Sequence, residues 1–185
     1  MSTIFQSERI YLTPITNDDL PQFAAWLSDF GLQRLVNPGM SVPQDVEELL
    51  NPDSWFQSDL KSEKCRMFAV RTLKKNIFIG QCGIVNLNMF SHSAEIGINI
   101  AHPEYRGKGY GTEAMVLVMR YGFEQLNLNR VSLHVMSFNT RAIRLYEKLG
   151  FQVEAREREM FFHDGTYFDQ ISMGILRNEW EVIYG

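Results

Sequence analysis

The sequence contains only two cysteines, Cys65 and Cys82, and they do not form a C-x-x-C pair. Its four histidines are scattered, without the spacing of a zinc site. The two separate cysteines predict buried free thiols. The spacing of the cysteines and histidines predicts no bound metal. The chain also has no run of about 20 apolar residues and no apolar signal-peptide core near its start. We therefore expect a soluble, cytoplasmic protein that does not enter a membrane.

Basic residues are not in excess, since 18 Lys and Arg stand against 22 Asp and Glu and give a net charge of −4. A nucleic-acid binder normally carries a basic excess, so this balance argues against such a partner and fits a cationic substrate better. Hydrophobic residues make up 45% of the chain, which is enough for a sizeable core. No repeat or linker divides the 185 residues, and we expect one domain over residues 1–185.

Residues 104–112, Glu-Tyr-Arg-Gly-Lys-Gly-Tyr-Gly-Thr, are the most informative segment. Their alternate glycines are Gly107, Gly109 and Gly111. Without a Cβ, successive N–H groups can converge on an anion, and a helix that opens near Tyr110 adds further N–H groups. Arg106 and Lys108 supply positive charge beside them. The spacing matches neither a P-loop nor a G-x-G-x-x-G fingerprint. It predicts a diphosphate site, with a plain glycine-rich turn as the alternative.

Apolar periodicity places strands and helices on both sides of this loop. The strands expected before it are Ile10–Ile15, Arg66–Arg71, Ile77–Leu87 and Ala94–Ala101, and those after it are Arg130–Ser137, Phe151–Phe162 and Thr166–Ile175. The helices expected are Thr16 to about Leu27, Asp45–Leu50, Trp55–Leu60, Tyr110 to about Leu126, and one that Asn139 caps and Gly150 ends. Residues 28–62 are irregular, and we interpret them as a cover that faces the substrate.

Three blocks of sequence, in a fixed order, resemble the GNAT superfamily of acetyl-CoA-dependent N-acetyltransferases. They are Glu95-Ile-Gly, then Pro103-Glu-Tyr-Arg-Gly-Lys-Gly-Tyr-Gly-Thr-Glu-Ala114, then Asn139-x-x-Ala-Ile-x-x-Tyr146-Glu-Lys-Leu-Gly-Phe151. The segment Arg158 to Trp180 is similar to the branch that contains ribosomal-protein N-terminal acetyltransferases and spermidine acetyltransferases. The resemblance covers nearly the whole chain, apart from residues 28–62.

This resemblance implies an α/β (α+β) fold with a twisted, mixed, mostly antiparallel sheet and helices on both faces. Two parallel strands, here Ala94–Ala101 and Arg130–Ser137, would splay into a V. Acetyl-CoA would be the co-substrate. Its pantetheine would lie along Ile98, Asn99 and Ile100 as if it extended the strand. Its diphosphate would lie on the loop, at Arg106, Gly107, Lys108, Gly109, Tyr110, Gly111 and Thr112.

Tyr146 matches the family's tyrosine near the CoA sulfur, and a protonated phenol can donate to a departing thiolate. The same side chain also lies on the apolar stripe of its helix, so a core role stays open. Asn139 would contact pantetheine, or serve only as a helix cap. N–H groups near Asn99 and Ile100 are candidates for polarising the thioester carbonyl.

The proton acceptor has two candidates. Glu95 begins the splayed strand on its polar face, although a solvated or ion-paired carboxylate explains it equally well. His134 is the second candidate, because the intrinsic pKa of histidine as a residue type suits proton transfer near neutral pH, yet a histidine on a strand is more often structural. Three cations of one helix, Arg141, Arg144 and Lys148, would approach the nucleotide phosphates or form a solvated face.

The sequence thus predicts acetyl transfer to a primary amine, either a protein N-terminal amino group or a polyamine or similar small amine, by direct attack. A CoA-binding regulatory protein that lacks turnover is the alternative. No nucleic acid or membrane partner is implied. A homodimer stays open, either through the sheet edge or through the closing hairpin formed by the strands Phe151–Phe162 and Thr166–Ile175.

Overall fold

The computed structural model describes residues 4–36 and 42–185, and its sheet has the strand order β1-β2-β3-β4-β5-β7-β6. The strands are β1 Ile10–Thr13, β2 Arg66–Thr72, β3 Phe78–Asn88, β4 Ser93–Asn99, β5 Arg130–Met136, β6 Gln152–His163 and β7 Thr166–Leu176. Neighbouring strands pair antiparallel, except that β4 and β5 are parallel. The mixed, mostly antiparallel sheet expected from the sequence is confirmed.

The helices are α1 Leu20–Leu27, α2 Phe30–Val36, α3 Val46–Leu50, α4 Trp55–Lys61, α5 Tyr110–Arg120, α6 Thr140–Lys148 and α7 Arg177–Tyr184. A π-helical turn, Tyr121–Gln125, continues α5, so the helix expected to run to about Leu126 changes its winding after Arg120. Helices α2 and α7 were not expected from the sequence. Residues 37–41 of the expected cover lie outside the described residues.

Successive residues of β2 enter two different hydrophobic clusters. Val70 joins the cluster that contains α5, α6 and Trp180 of α7, whereas Ala69 joins the cluster built from α1 to α4. Adjacent side chains of a strand point to opposite faces of a sheet. The two clusters therefore cover opposite faces, and the expected placement of helices on both faces is confirmed.

Several local signals of the sequence act as expected. Asp19 accepts a hydrogen bond from the backbone N–H of Thr16 at 2.8 Å, which closes the capping box before α1. In the turn between β6 and β7, Asp164 and Gly165 have φ of 49° and 79°. This left-handed pair is the geometry that a two-residue hairpin turn requires. Gly150, with φ of 98°, ends α6 as predicted.

Candidate active site

The parallel strands β4 and β5 pair at only three positions and then separate. Their partners are Ser93 with Arg130, Ala94 with Val131 and Glu95 with Ser132, although the strands continue to Asn99 and Met136. A cavity of about 540 Å³ lies in the resulting gap. Its strand walls are residues 96–99 of β4, with Ile100 directly after that strand, and residues 134–136 of β5. The backbone along this gap has no partner strand, so an extended ligand can form hydrogen bonds with it.

The glycine loop between β4 and α5 forms one end of the cavity. Gly107 and Gly109 line it and have φ of 78° and 86°, the left-handed backbone that a side chain disfavours. Gly109 is also the N-cap of α5, and no side-chain oxygen caps this end of the helix. Gly111 and Thr112 line the cavity from the first turn of α5. Exposed N–H groups at a helix start, beside two left-handed glycines, fit a diphosphate.

The structure separates the two cations that the sequence places in this loop. The Arg106 guanidinium lines the cavity but donates hydrogen bonds to the carbonyl oxygens of Ile100 and Ala101. Lys108 is exposed and lies outside the cavity wall, as does Tyr110. Arg106 therefore ties the loop to the end of β4, and its charge is partly engaged there.

Helix α6 supplies positive charge to the same cavity. Arg141, Arg144 and Lys148 all line it. The Arg141 guanidinium also lies beside the loop, with one nitrogen 3.5 Å from the position that a Cβ of Gly107 would occupy. Of the two interpretations of these cations, the structure favours a role facing the cavity. A phosphate on the loop would meet Arg141 directly.

Arg9, just before β1, supports the loop from the other side, and sequence reasoning missed it. Its guanidinium donates to the Lys108 carbonyl at 2.9 Å, pairs with Glu113 of α5, and lies 4.5 Å from the centre of the Tyr110 ring. No local pattern predicts these contacts, because about a hundred residues separate the partners. Glu113 gives no signal for this cation either, because the helix dipole alone favours a carboxylate in the first turn of a helix.

Tyr146 projects from α6 into the cavity and is 8% exposed. Burial raises the pKa of its hydroxyl to about 12, so the group keeps its proton at neutral pH. Asn139 lines the same cavity and caps α6, with its side-chain oxygen accepting from the Ala142 N–H at 3.2 Å. Its amide nitrogen donates to the Leu35 carbonyl of α2, also at 3.2 Å. One amide hydrogen remains for a ligand.

The two candidate proton acceptors face each other across the V. The Nε2 atom of His134 on β5 lies 3.8 Å from a carboxylate oxygen of Glu95 on β4. His134 lines the cavity, whereas Glu95 lies just outside its wall. Both side chains are partly exposed. The sequence analysis gave Glu95 and His134 as alternative proton acceptors, but the fold places the two side chains next to each other.

The remaining wall of the cavity comes from α2 and the closing hairpin. Leu32 and Leu35 of α2 line it together with Phe161 and Gln170 of the hairpin. Arg34 of α2 also forms an ion pair with Asp164 in the hairpin turn, at 3.0 Å. A substrate that reaches the gap therefore meets residues of α2 and of the hairpin. Among the described residues, no group of three or more His, Cys, Asp or Glu could hold a metal ion.

Comparisons with known proteins agree with this geometry. Residues 9–152 match the family model described as an acetyltransferase (GNAT) domain. A prophage-derived uncharacterized N-acetyltransferase of Bacillus subtilis, YokL, is 33% identical over 99% of this chain and 98% of its own. A spermidine N(1)-acetyltransferase of Vibrio cholerae is 38% identical over 74% of each chain.

A solved structure shares the whole architecture. The crystal structure of spermidine N-acetyltransferase from Vibrio cholerae in complex with CoA and spermine has a TM-score of 0.85 to this chain, with 27% identity. The match covers 95% of this chain and 99% of the other. In the part of the chain that the structure describes, every helix is too short or too polar to cross a membrane.

The resemblance to the GNAT superfamily, and to its branch with ribosomal-protein N-terminal acetyltransferases and spermidine acetyltransferases, is therefore confirmed. The expectation of an enzyme is also confirmed. This result sets aside the alternative, a CoA-binding protein without turnover. The chain belongs to the GNAT acetyltransferase family and is an acetyl-CoA-dependent N-acetyltransferase that acts on an amine.

Proposed function

We propose that this enzyme acetylates a primary amine of a polyamine or similar small polycation, by direct attack in a ternary complex with acetyl-CoA. The observation that carries this proposal is the Glu95–His134 pair at the gap between β4 and β5. It places a carboxylate beside the cavity that also contains the glycine loop and the cations of α6. The named activity of the Vibrio cholerae relative supports the choice of acceptor.

The distribution of charge supports a division of the cavity between the two substrates. The cations of α6 are suited to bind phosphates of acetyl-CoA; they are Arg141, Arg144 and Lys148. The N–H groups of the glycine loop are suited to bind its diphosphate. At the other end, the His134 ring lies between carboxylates: Glu95 contacts it directly and Glu157 contacts its neighbour Gln170. Opposite charges at the two ends favour an anionic donor and a cationic acceptor.

Acetyl transfer needs a free amine, a polarised carbonyl and a proton for the departing sulfur. In our proposal, Glu95 accepts the amine proton directly or through a water as the new C–N bond forms. Backbone N–H groups near Asn99 and Ile100 stabilise the carbonyl oxygen. Holding both reactants in one cavity contributes up to roughly 7–11 kcal/mol when the alignment is ideal.

Tyr146 completes the reaction as the C–S bond breaks. Its pKa of about 12 means that the phenol holds its proton more tightly than a thiol of ordinary pKa, about 8.5. The hydroxyl therefore stabilises the leaving sulfur first by donating a hydrogen bond. A thiolate that takes this proton leaves a phenolate, which regains a proton through the solvent of the open cavity.

Buried free thiols support a reducing compartment for this chemistry. Cys65 and Cys82 are both free and buried. Persistent disulfides are rare in the cytosol, so two unpaired cysteines are consistent with a cytoplasmic enzyme.

An acceptor panel tests the proposed substrate class. Purified enzyme and acetyl-CoA are mixed with spermidine, spermine, a neutral peptide with a free N-terminus, or no amine, and CoA release and acetylated product are both measured. The polyamines should give the highest kcat/KM, and this value should fall with added salt because screening weakens charge attraction. A higher kcat/KM for the peptide would replace the polyamine with a protein N-terminus. CoA release without acetylated amine would overturn the proposal.

A further inference from the structure

A row of polar side chains crosses four strands at the cavity. It consists of Glu95 on β4, His134 on β5, Ser172 and Gln170 on β7, and Glu157 on β6. The strand registers produce this polar row, because His134 lies opposite Ser172 and Gln170 lies opposite Glu157. Side chains at paired positions share one face of the sheet and come within contact distance.

Glu157 determines which way the Gln170 amide points. An ionised carboxylate only accepts hydrogen bonds, so the Gln170 group in contact with Glu157 is the NH₂ group. The same nitrogen lies 3.3 Å from Nδ1 of His134. Its two hydrogens allow it to donate to both neighbours at once. The amide oxygen cannot face the ring while this contact with Glu157 persists.

The orientation of Gln170 in turn selects the proton position on His134. A nitrogen that faces an N–H donor must offer its lone pair, so Nδ1 of the neutral ring is unprotonated. The Ser172 hydroxyl, 3.1 Å from Nδ1, can donate to the same side. The ring proton then lies on Nε2, which is the nitrogen 3.8 Å from the Glu95 carboxylate. Glu95 and Glu157 are the charged groups in this row.

From this geometry we infer that Gln170 is a positioning residue that holds His134 as its Nε2–H tautomer. His134 then points its Nε2–H toward Glu95, 3.8 Å away, and cannot accept a proton at that nitrogen, so Glu95 is the group that accepts the amine proton. The assignment rests on the proposed function only for its catalytic consequence, because the tautomer is a property of the protein alone. It decides between the two candidate bases, which the sequence left open.

Nitrogen NMR of the ligand-free protein tests the tautomer without reference to activity. Histidine labelled with ¹⁵N is incorporated, the His134 signals are assigned by comparison with His134→Gln, and two-bond ¹H–¹⁵N correlations are recorded at about pH 9, where a histidine of ordinary pKa is neutral. The wild type should show Nε2 protonated. In Gln170→Glu a carboxylate faces Nδ1 and accepts a hydrogen bond, so the pattern should change to Nδ1–H.

A matched control and a kinetic arm complete the test. Gln152→Leu removes a glutamine of β6 that contacts Glu179, outside the polar row, and it should leave the His134 pattern unchanged. In Gln170→Glu, kcat should fall roughly tenfold or more, because a wrong tautomer misdirects the ring. A wild type with Nδ1–H, or a Gln170→Glu variant with the wild-type pattern, overturns the inference. Absence of acetyl transfer to the polyamines overturns only the proposed function.

Discussion

The hydroxyl of Tyr146 distinguishes a catalytic tyrosine from a core one. Tyr146→Phe keeps the ring that packs near Phe151 but removes the proton donor. If the hydroxyl stabilises the departing sulfur, the single-turnover rate should fall by about 10²–10⁴-fold while the fold is retained. Tyr11→Phe is the matched control, since its hydroxyl contacts Asn76 away from the cavity. Full activity in Tyr146→Phe would return this side chain to a packing role.

The pH profile of the wild type provides a second readout of the same residue. A raised pKa means that the protonated form persists to higher pH, so Tyr146 should remain a donor until the pH approaches about 12. Meanwhile a primary amine with a pKa near 10.4 becomes more reactive as the pH rises. The rate should therefore rise over the pH range in which the amine loses its proton, and Tyr146 should cause no decline there. A decline that begins near pH 7 and is absent from Tyr146→Phe would contradict this assignment.

The residue types in the sequence predicted the chemistry of the site better than they predicted the contacts between its side chains. Tyr146, Asn139 and the loop glycines all reach the cavity, because they sit in local motifs that fix their direction. The contact between Glu95 and His134 depends on how β4 and β5 pair, and the bonds of Arg106 depend on where β4 ends. Pairing between segments distant in sequence leaves no local signal, so these contacts needed the structure.

At the scale of elements, the junction between β4 and α5 depends on one conformation. Gly109 has φ of 86°, and a Cβ there would come 3.0 Å from the Arg9 guanidinium. Gly109→Ala should therefore disturb both the loop and its support, and weaken CoA binding roughly ten- to a hundredfold. Calorimetry on the folded variant measures this affinity.

Gly165→Ala is the control for backbone strain. Gly165 also has a positive φ, 79°, but a Cβ there would meet nothing within 4 Å, and the residue lies in the hairpin turn. Gly165→Ala should lower the free energy of unfolding by about 1–2 kcal/mol, an amount similar to that in Gly109→Ala, and it should keep the CoA affinity of the wild type. Equal CoA affinity in the two variants would remove the loop from the binding site.

Most elements could be predicted from the sequence, and the two missed helices have physical reasons. In α2, Gly31 lowers helix propensity and Phe30 is exposed, so the segment has no clear apolar stripe. Helix α7 begins directly after β7 without a turn residue. Its start is stabilised by Glu179, which accepts from the Leu176 N–H at 2.8 Å. A leucine at the N-cap gives the sequence no conventional start signal.

At the scale of the whole molecule, a buried ion pair joins the helical layer of α1 to the sheet. The Asp19 carboxylate lies 2.6 Å from the Arg71 guanidinium on β2, and both side chains are largely buried. Arg71→Met leaves a buried carboxylate without its cation and should lower the free energy of unfolding by about 3–5 kcal/mol. Urea denaturation measures this loss.

An exposed ion pair is the control for this experiment. Glu124→Gln removes the partner of Arg120, 3.9 Å away on the surface of the molecule, and should cost less than about 1 kcal/mol. The double variant with Asp19→Leu and Arg71→Met should recover much of the loss, because no buried charge remains. Equal losses in Arg71→Met and Glu124→Gln would show that burial of the pair does not matter for stability.

The short pairing of β4 with β5 has a mechanical consequence. Strands β1 to β4 form one half of the sheet and strands β5, β7 and β6 form the other. Backbone hydrogen bonds join the halves along Ser93–Glu95 and Arg130–Ser132, and at His92, whose carbonyl accepts from the N–H groups of Asn129 and Arg130. The sheet is therefore softest at this seam, and rocking about it opens or narrows the V. A ligand that forms hydrogen bonds with both strands restricts this rocking motion. Binding in the cavity should therefore make the whole fold more rigid.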